Sequence, residues 1–166
     1  MTLANLCPQI CEIEPEDGQT VQEMIQELAD FEKLGDQMEL TAANLEDYIK
    51  NGQIKGFLIK DKDDQTIVMA MILFYTAFSS WKGPFYYLED IYVRSEYRKM
   101  KLGEKLFSAM VAKAKQDNIK KINWTVLKWN TPAVKFYGKI GAENLTETED
   151  RLVMSLDEER LEKFAL

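Results

Sequence analysis

The chain has 166 residues, of which 46% are hydrophobic and 30% are charged, and its formal net charge is -7. This length and composition predict one globular domain over residues 1–166 with a single core, and the acidic balance argues against a nucleic-acid partner. The sequence has no apolar run of membrane-spanning length and no N-terminal signal pattern, so we expect a cytoplasmic protein without a membrane partner, with entry to the nucleus left open.

Apolar periodicity predicts strands alternating with helices. Thr41 is placed to cap a helix that ends at the Asn-Gly pair 51–52, and a nearly continuous apolar run over 66–78 predicts a strand buried on both faces. Hairpins mixed with βα units predict an α/β (α+β) sheet with helices on both faces. The predicted strands are 9–13, 54–60, 66–78, 85–93, 121–129 and 151–156, and the predicted helices are 19–34, 41–50, one from Leu102, one from a Thr131 cap to Gly141, and a terminal helix.

The chain contains no histidine. Ser–His and Cys–His nucleophile pairs are therefore excluded, and proton transfers would need carboxylates, tyrosine, lysine, cysteine, backbone or water. Cys7 and Cys11 lie close in sequence, but no further Cys or His could complete a zinc site with them. We predict two reduced thiols without a special role, and no bound metal.

A basic turn separates the strand 85–93 from the helix at Leu102. The first N–H groups of that helix have no internal partners, and with the helix dipole they favour an anion. Only one glycine, Gly103, lies in the turn, so its composition alone is equally compatible with a solvated turn and with an anion site. The cationic residues of this region are Arg94, Arg98, Lys99, Lys101 and Lys105.

The context of this turn favours the anion site. The segment Arg98–Gly103, with the sequence RKMKLG, resembles the acetyl-CoA pyrophosphate loop of the GNAT N-acetyltransferases, usually written Q/R-x-x-G-x-G/A, with Lys101 in place of the middle glycine. Over roughly residues 10–160 the chain also resembles the diamine (spermidine/spermine) acetyltransferases and their thialysine-acetylating relatives. The stretches that carry this resemblance are MIQELADFEKLGDQMELT, WKGPFYYLEDIYVRSEYR and LKWNTPAVKFYGKIGAENLT.

The resemblance implies a GNAT-like fold, with a mixed, mostly antiparallel, twisted sheet flanked by helices on both faces. It also implies direct transfer of an acetyl group from acetyl-CoA to a primary amine, with no covalent enzyme intermediate. Glu89 would be the base or hold the water that removes the amine proton, and Tyr137 would protonate the CoA sulfur. The residues alone favour Tyr137 as a packed helix aromatic, whereas the match from Asn130 to Gly141 favours the catalytic role.

The resemblance further implies the residues that bind each substrate. The backbone of Ile91, Tyr92 and Val93 would pair with the pantetheine arm like an added strand. The pyrophosphate would be held by Arg98, Lys99, Met100, Lys101, Leu102, Gly103 and Glu104. Asn130 would contact the pantetheine near the sulfur, and the other cofactor-binding residues of this region would be Thr131, Pro132, Ala133 and Tyr137. The residues alone predict Asn130 as a helix cap, and it could serve in both ways. The amine would be bound by Phe31, Glu32, Glu89, Asp90, Asn123, Trp124, Thr125 and Glu149.

Three positions refine these expectations. Ser79 stands where the diamine enzymes carry an aspartate, which makes spermidine and spermine less secure substrates than a thialysine-like amino acid, a monoamine or a short diamine. Trp81 could wall the amine channel, but core packing is the safer prediction. A left-handed Lys101 would cost about 1–2 kcal/mol, so we predict right-handed or extended backbone there.

Two other functions stay open on the sequence. The first is a CoA-binding or interaction module with weak catalysis, and the second is acetylation of a protein lysine or N-terminus. The resemblance also implies a homodimer with late strands exchanged or packed between protomers.

Overall fold

The computed structural model describes residues 6–149 and 152–164. They form two compact units, one that ends at Thr125 and one that begins at Val126. The single domain over residues 1–166 stays a prediction. Within the described residues, no helix combines the length and apolar character needed to cross a membrane.

The first unit is built on a five-stranded sheet with the strand order β1-β2-β3-β4-β5. The first three ladders are antiparallel and the β4–β5 ladder is parallel, which confirms the mixed, mostly antiparallel sheet. The strands are β1 (Pro8–Glu12), β2 (Lys55–Asp61), β3 (Val68–Ser79), β4 (Gly83–Val93) and β5 (Ile122–Asn123). The helices are α1 (Gly18–Phe31), α2 (Ala42–Lys50) and α3 (Leu102–Gln116), and short 3-10 turns lie at Pro15–Asp17, Gly35–Gln37 and Ser95–Tyr97.

Helices cover both faces of this sheet, as predicted. Ile72 and Phe74 of β3 belong to the core on the α3 side, whereas Met71 and Leu73 belong to the core that includes α1 and α2. All seven residues from Val68 to Phe74 are buried, so the strand predicted over 66–78 does bury both faces in its first half. This two-sided burial explains why its sequence is a continuous apolar run.

A β-bulge divides β4. Leu88 pairs with Phe74 and Asp90 pairs with Leu73, so Glu89 is one extra residue that has no partner across the ladder. Side chains normally alternate between the two faces, and the extra residue reverses the alternation beyond it. Leu88 therefore lies on the α3 face, whereas Asp90 lies on the face of α1 and α2.

The bulge also accounts for a strand that is shorter than predicted. The prediction of a strand over 121–129 was wrong beyond Asn123, because β5 contains only Ile122 and Asn123. These two residues pair with Tyr86 and Tyr87 of β4. The next positions of β4 in that parallel register lead into the bulge, where regular pairing stops.

The helix ends of the first unit follow local chemistry. The Thr41 hydroxyl accepts from the Asn44 N–H at 3.2 Å and the Asn44 side chain accepts from the Thr41 N–H at 3.1 Å, which confirms the predicted cap of α2. The helix α1 ends at Phe31 and not at 34. The chain reverses there because Lys33 adopts a left-handed φ of 64° and the Leu34 N–H donates to the Ala29 carbonyl.

The second unit contains α4 (Thr131–Lys139), α5 (Leu145–Thr148) and α6 (Glu158–Phe164). Asn130 caps α4 by accepting from the Ala133 N–H at 3.3 Å, which confirms the prediction of Asn130 as a helix cap. The prediction of Thr131 as the cap was off by one residue. Gly141 follows the helix with a left-handed φ of 85°, as a helix stop requires. The strand predicted over 151–156 is not formed by residues 152–156, and Arg151 lies outside the described residues.

The backbone of the basic turn contradicts one prediction. Lys101 has φ 58° and ψ 25°, so the expected right-handed or extended conformation was wrong. Lys99 is also left-handed, with φ 71°. The turn thus has the left-handed backbone that glycine usually adopts, but it has lysine at these positions. It connects the 3-10 turn at Ser95–Tyr97 to α3 over a few residues. Each left-handed lysine costs about 1–2 kcal/mol.

A substitution of Gly56 is expected to destabilise the sheet. A Cβ at Gly56 would lie 2.2 Å from the Ile72 carbonyl oxygen, whereas a Cβ at Gly103 would meet only Val93, at 3.9 Å. We expect Gly56→Ala to cost about 2 kcal/mol or more and to lower Tm by several degrees in thermal denaturation. Gly103→Ala is the control and should not lower Tm, because alanine is the better helix former. Equal Tm values for the two variants would contradict this close approach.

The left-handed backbone at Lys101 predicts that glycine is more stabilising than alanine at this position, the reverse of the usual order in helices. Lys101→Gly removes both the charge and the strain, whereas Lys101→Ala removes only the charge. Thermal denaturation should therefore find the glycine variant more stable by about 1 kcal/mol. At the exposed helix position Lys105 the ordinary order should hold, with alanine more stable by about 1 kcal/mol. The same order at both positions would argue against a left-handed Lys101.

Candidate functional site

The outer edge of β4 is paired over only part of its length. In the portion of the chain that the structure describes, its parallel ladder with β5 covers only Tyr86 and Tyr87. Ile91, Tyr92 and Val93, the residues predicted to bind pantetheine, lie beyond that ladder and beyond the bulge. An extended ligand could add to this edge by main-chain hydrogen bonds.

The basic turn continues directly from this edge. Arg98, Lys99 and Lys101 are exposed, and the Arg98 Nε donates to the Val93 carbonyl at 3.3 Å. The buried side chain of Leu102 and the half-buried side chain of Met100 pack with the core on the α3 side. These contacts fix the start of α3, where Gly103 and Glu104 lie in the first turn. Left-handed residues in such a turn help to direct neighbouring N–H groups towards an anion.

Two carboxylates predicted to bind the amine, Glu89 and Glu32, act on a third, Asp90. Burial, the Glu89 charge and the Glu32 charge, in that order, raise the pKa of Asp90 to about 6. Burial also raises the pKa of Glu32, at the end of α1. Glu89 is exposed at the bulge. The group forms a negatively charged patch that would favour a cationic ligand.

An aromatic pair beside Glu89 could not be found in the sequence. Tyr75 and Tyr87 are register partners across β3 and β4, and their rings stack with centroids 5.3 Å apart. Burial is the main cause that raises the pKa of Tyr75, and the Glu89 charge adds to it. Aromatic faces attract ammonium groups, so this pair is suited to line an amine site. Only the register of β3 against β4 places the two rings together, and the periodicity of the sequence does not determine that register.

The remaining predicted amine residues of this unit do not all join the carboxylates. Asn123 pairs with Tyr87 in the β5 ladder, and Thr125 is exposed just after it. Trp124 packs with the core on the α3 side and meets Phe107 edge to face, with ring centroids 5.7 Å apart. Trp124 therefore lies with the α3 face, whereas Asp90 lies on the α1 face.

Phe31 lies at the other end of the predicted amine set, as the last residue of α1. Its ring is 42% exposed, and the Arg98 guanidinium lies 5.2 Å from the ring centroid. This contact joins a residue predicted to bind the amine to a residue predicted to bind the pyrophosphate.

The hairpin between β3 and β4 corrects another prediction. Trp81 is 83% exposed, so core packing was wrong for this residue. Ser79 closes the hairpin turn, with its hydroxyl accepting from the N–H groups of Trp81 and Lys82 at 3.3 Å each. The residue that replaces the expected aspartate therefore has a local structural role.

The second unit carries the predicted proton donor. Tyr137 is 9% exposed, and burial raises the pKa of its phenol to about 12. The phenol is therefore protonated at neutral pH, as a proton donor requires. Asn130, Thr131, Pro132 and Ala133 form the cap and first turn of α4. Glu149, predicted to bind the amine, is exposed after α5.

In the described ranges, no cluster of side chains supports a bound metal ion. No group of three or more histidine, cysteine, aspartate or glutamate side chains is close enough there to hold an ion. Cys7 and Cys11 are free cysteines.

Comparisons with known proteins agree with this geometry. The sequence model of the Acetyltransferase (GNAT) family matches residues 21–142, which include parts of both units. The chain is 32% identical over 157 residues to a thialysine N-epsilon-acetyltransferase of Caenorhabditis elegans, covering 95% of this chain and 96% of that protein. It is 28% identical over 159 residues to a human spermidine/spermine N(1)-acetyltransferase-like protein 1, covering 92% of this chain and 23% of that protein.

The solved structures support the same fold. An integron cassette protein from the mobile metagenome of V. cholerae superposes with a TM-score of 0.74 at 21% identity, covering 94% of this chain and 96% of that one. The family match extends over most of the chain and the thialysine relative over nearly all of it. The chain therefore belongs to the GNAT family of acetyltransferases and is an amine N-acetyltransferase.

Proposed function

We propose that the protein transfers an acetyl group from acetyl-CoA to a primary amine of a small cationic substrate, by direct attack in a ternary complex. The observation that carries the proposal is the bulge in β4, where the carboxylates Glu89 and Asp90 border a strand edge that β5 does not cover. The carboxylates at the bulge suit a cation. The uncovered edge of β4, which leads to the basic turn, suits an extended ligand with an anionic end.

Acetyl-CoA would bind along that edge. The backbone of Ile91, Tyr92 and Val93 would pair with the pantetheine arm, and the turn from Arg98 to Glu104 would hold the pyrophosphate. Two cationic side chains on a left-handed backbone, Lys99 and Lys101, support this assignment, since strain of this kind is characteristic of functional turns. Asn130, Thr131, Pro132 and Ala133 would contact the cofactor near its sulfur.

Proton transfer would use a carboxylate and a phenol. The ammonium must lose a proton before its nitrogen attacks the thioester carbonyl carbon, and Glu89 would accept this proton directly or through water. As the C–S bond breaks, the departing thiolate would take a proton from Tyr137, and the acetylated nitrogen would lose its second proton. That proton would return through water to the tyrosinate, which restores the phenol. The raised pKa of the Tyr137 phenol, about 12, supports a donor that stays protonated until a basic thiolate forms beside it.

A thialysine-like amino acid, or another short amine, is the better candidate substrate. Relatives are named for thialysine, for spermidine and spermine, and for L-ornithine, all of which carry primary amines. Ser79 binds its own turn where a second ammonium would need an acid. Glu32 and Asp90 would hold the charged part of the amine, and the Tyr75–Tyr87 pair would line its path. The homodimer and the cytoplasmic location stay predictions.

Turnover with an amine panel tests the reaction. We expect acetyl-CoA-dependent release of free thiol with thialysine, ornithine, lysine, putrescine or spermidine, and a lower KM for thialysine than for spermidine. Tyr137→Phe should reduce kcat by about 10²–10⁴-fold, because the thiolate then leaves without a proton donor.

Tyr48→Phe on α2 is the matched control and should leave kcat unchanged. Undiminished turnover of Tyr137→Phe would refute the donor role alone. Tight acetyl-CoA binding without turnover on any amine would instead indicate a binding module, and turnover confined to lysine-containing or N-terminal peptides would indicate a protein acetyltransferase.

The raised pKa of Asp90 predicts a dependence of amine binding on pH. Its carboxylate is charged above a pH of about 6 and becomes neutral below it. The KM for a cationic amine should therefore rise as pH falls from 7.5 to 5.5. Asp90→Asn should raise KM at pH 7.5 by about tenfold and flatten this part of the profile, since it removes one charge partner of the ammonium.

The same variant should gain stability at neutral pH. The pKa of Asp90 lies above its ordinary value of 3.8, so the folded protein holds its proton more tightly than the unfolded chain. Stability is therefore lost as pH rises from 3.8 to about 6. In urea denaturation Asp90→Asn should be more stable than the wild type at pH 7.5, and this gain should shrink at pH 5. Glu96→Gln, an exposed control, should change stability by less than about 0.5 kcal/mol at either pH. A loss of stability in Asp90→Asn at pH 7.5 would contradict the raised pKa of Asp90.

A further inference from the structure

The cofactor turn and the end of α1 are joined by direct contacts. The Arg98 guanidinium lies 5.2 Å from the centroid of the Phe31 ring, which is the geometry of a cation–π contact. The same guanidinium group donates from Nε to the Val93 carbonyl at 3.3 Å. Arg98 is therefore held between the end of β4 and the last residue of α1.

A second contact fixes these two elements to each other. Arg94, just after β4, donates from Nε to both oxygens of Glu27 on α1, at 3.0 and 3.2 Å, and its Nη2 lies 2.9 Å from one of them. Arg94 also donates from Nη1 to the Val68 carbonyl at 2.9 Å. Such a two-pronged contact fixes orientation as well as distance. It places the start of the basic turn against the helix that carries Phe31 and Glu32.

Tyr92 lies in the same network. Burial is the main cause that raises the pKa of its phenol, the Glu27 carboxylate raises it further, and the Arg98 guanidinium lowers it. The phenol thus interacts with one charge from each contact pair. Glu27, Arg94, Tyr92, Arg98 and Phe31 form a continuous chain of contacts, named here the α1–turn network.

We propose that Phe31 is a positioning residue that transmits occupancy of the cofactor turn to the amine site, through its contact with Arg98. This inference rests on the proposed function. A pyrophosphate on the turn would hold Arg98 in one place, and the ring packed against it would lose freedom at the same time. The amine would then meet a wall that is already ordered and would bind more tightly.

Thermodynamic linkage makes the inference measurable. If the cofactor tightens amine binding by some factor, the amine must tighten cofactor binding by the same factor. A residue that only touches the amine changes both amine affinities equally and leaves this factor unchanged. A residue that couples the two sites changes the factor itself.

Calorimetry with CoA and thialysine tests the coupling in the wild-type chain. The ratio of thialysine Kd without CoA to that with saturating CoA should be about two- to fivefold, as a partly exposed cation–π contact can supply. Phe31→Leu keeps an apolar side chain but removes the ring, and its ratio should fall to about one. Phe31→Tyr keeps the ring and should keep the ratio. Phe78→Leu, an exposed aromatic at the β3–β4 hairpin, is the control and should also keep it.

The outcomes separate this inference from the function on which it rests. If CoA does not bind, or no amine of the panel binds, the proposed function fails. If both ligands bind and the wild-type ratio is about one, the coupling is refuted while the function stands. An unchanged ratio in Phe31→Leu refutes the role of the ring, even where both affinities fall. Circular dichroism melts establish that each variant is folded.

Discussion

The pairing of β3 with β4, and the one-residue bulge within it, is the constraint on which the first unit's candidate site depends. Because Glu89 is an extra residue, the strand presents Leu88 to the α3 core but Asp90 to the α1 side. Without the bulge, residues 88 and 90 would share a face, and a carboxylate would enter the apolar core at high cost. The bulge also lies where the β4–β5 ladder stops, so the same irregularity exposes a strand edge and collects the acids beside it.

Stability and function oppose each other at two places near this bulge. Asp90 keeps a carboxylate among two others although burial and their charges disfavour its ionised form. Lys99 and Lys101 keep left-handed backbone where glycine would be unstrained. Neither feature helps the chain to fold, and each places a charge where a charged ligand would compensate for it. The unfavourable carboxylate is negatively charged, and the strained lysines are positively charged. This pair of features fits one cationic and one anionic substrate.

The sequence predicted the features that depend on local pattern. Apolar periodicity located α1 and α3, and capping chemistry located α2 between Thr41 and the Asn-Gly pair. The length of β5 could not be predicted in this way, because it is set by a bulge in another strand. The backbone of Lys101 was predicted wrongly, since the cost of left-handed lysine was weighed without the geometry that joins two neighbouring elements. The resemblance predicted one amine site that contains Glu32 and Asp90. The effect of the Glu32 charge on the pKa of Asp90 depends on the packing of α1 against the sheet, which local pattern does not predict.

The helix α1 contacts the proposed cofactor turn and also leads into the proposed amine site, so its role extends beyond packing. Its inner side chains Val21 and Met24 are fully buried against the sheet, which fixes the helix as a whole. Its last turn then carries Glu27, which binds Arg94, and Phe31, which meets Arg98. These two contacts join the basic turn to the end of α1, where the Phe31 side chain is partly exposed. The α1–turn network therefore connects the proposed cofactor turn to the segment that contains Phe31 and Glu32, which is the segment proposed to hold the amine.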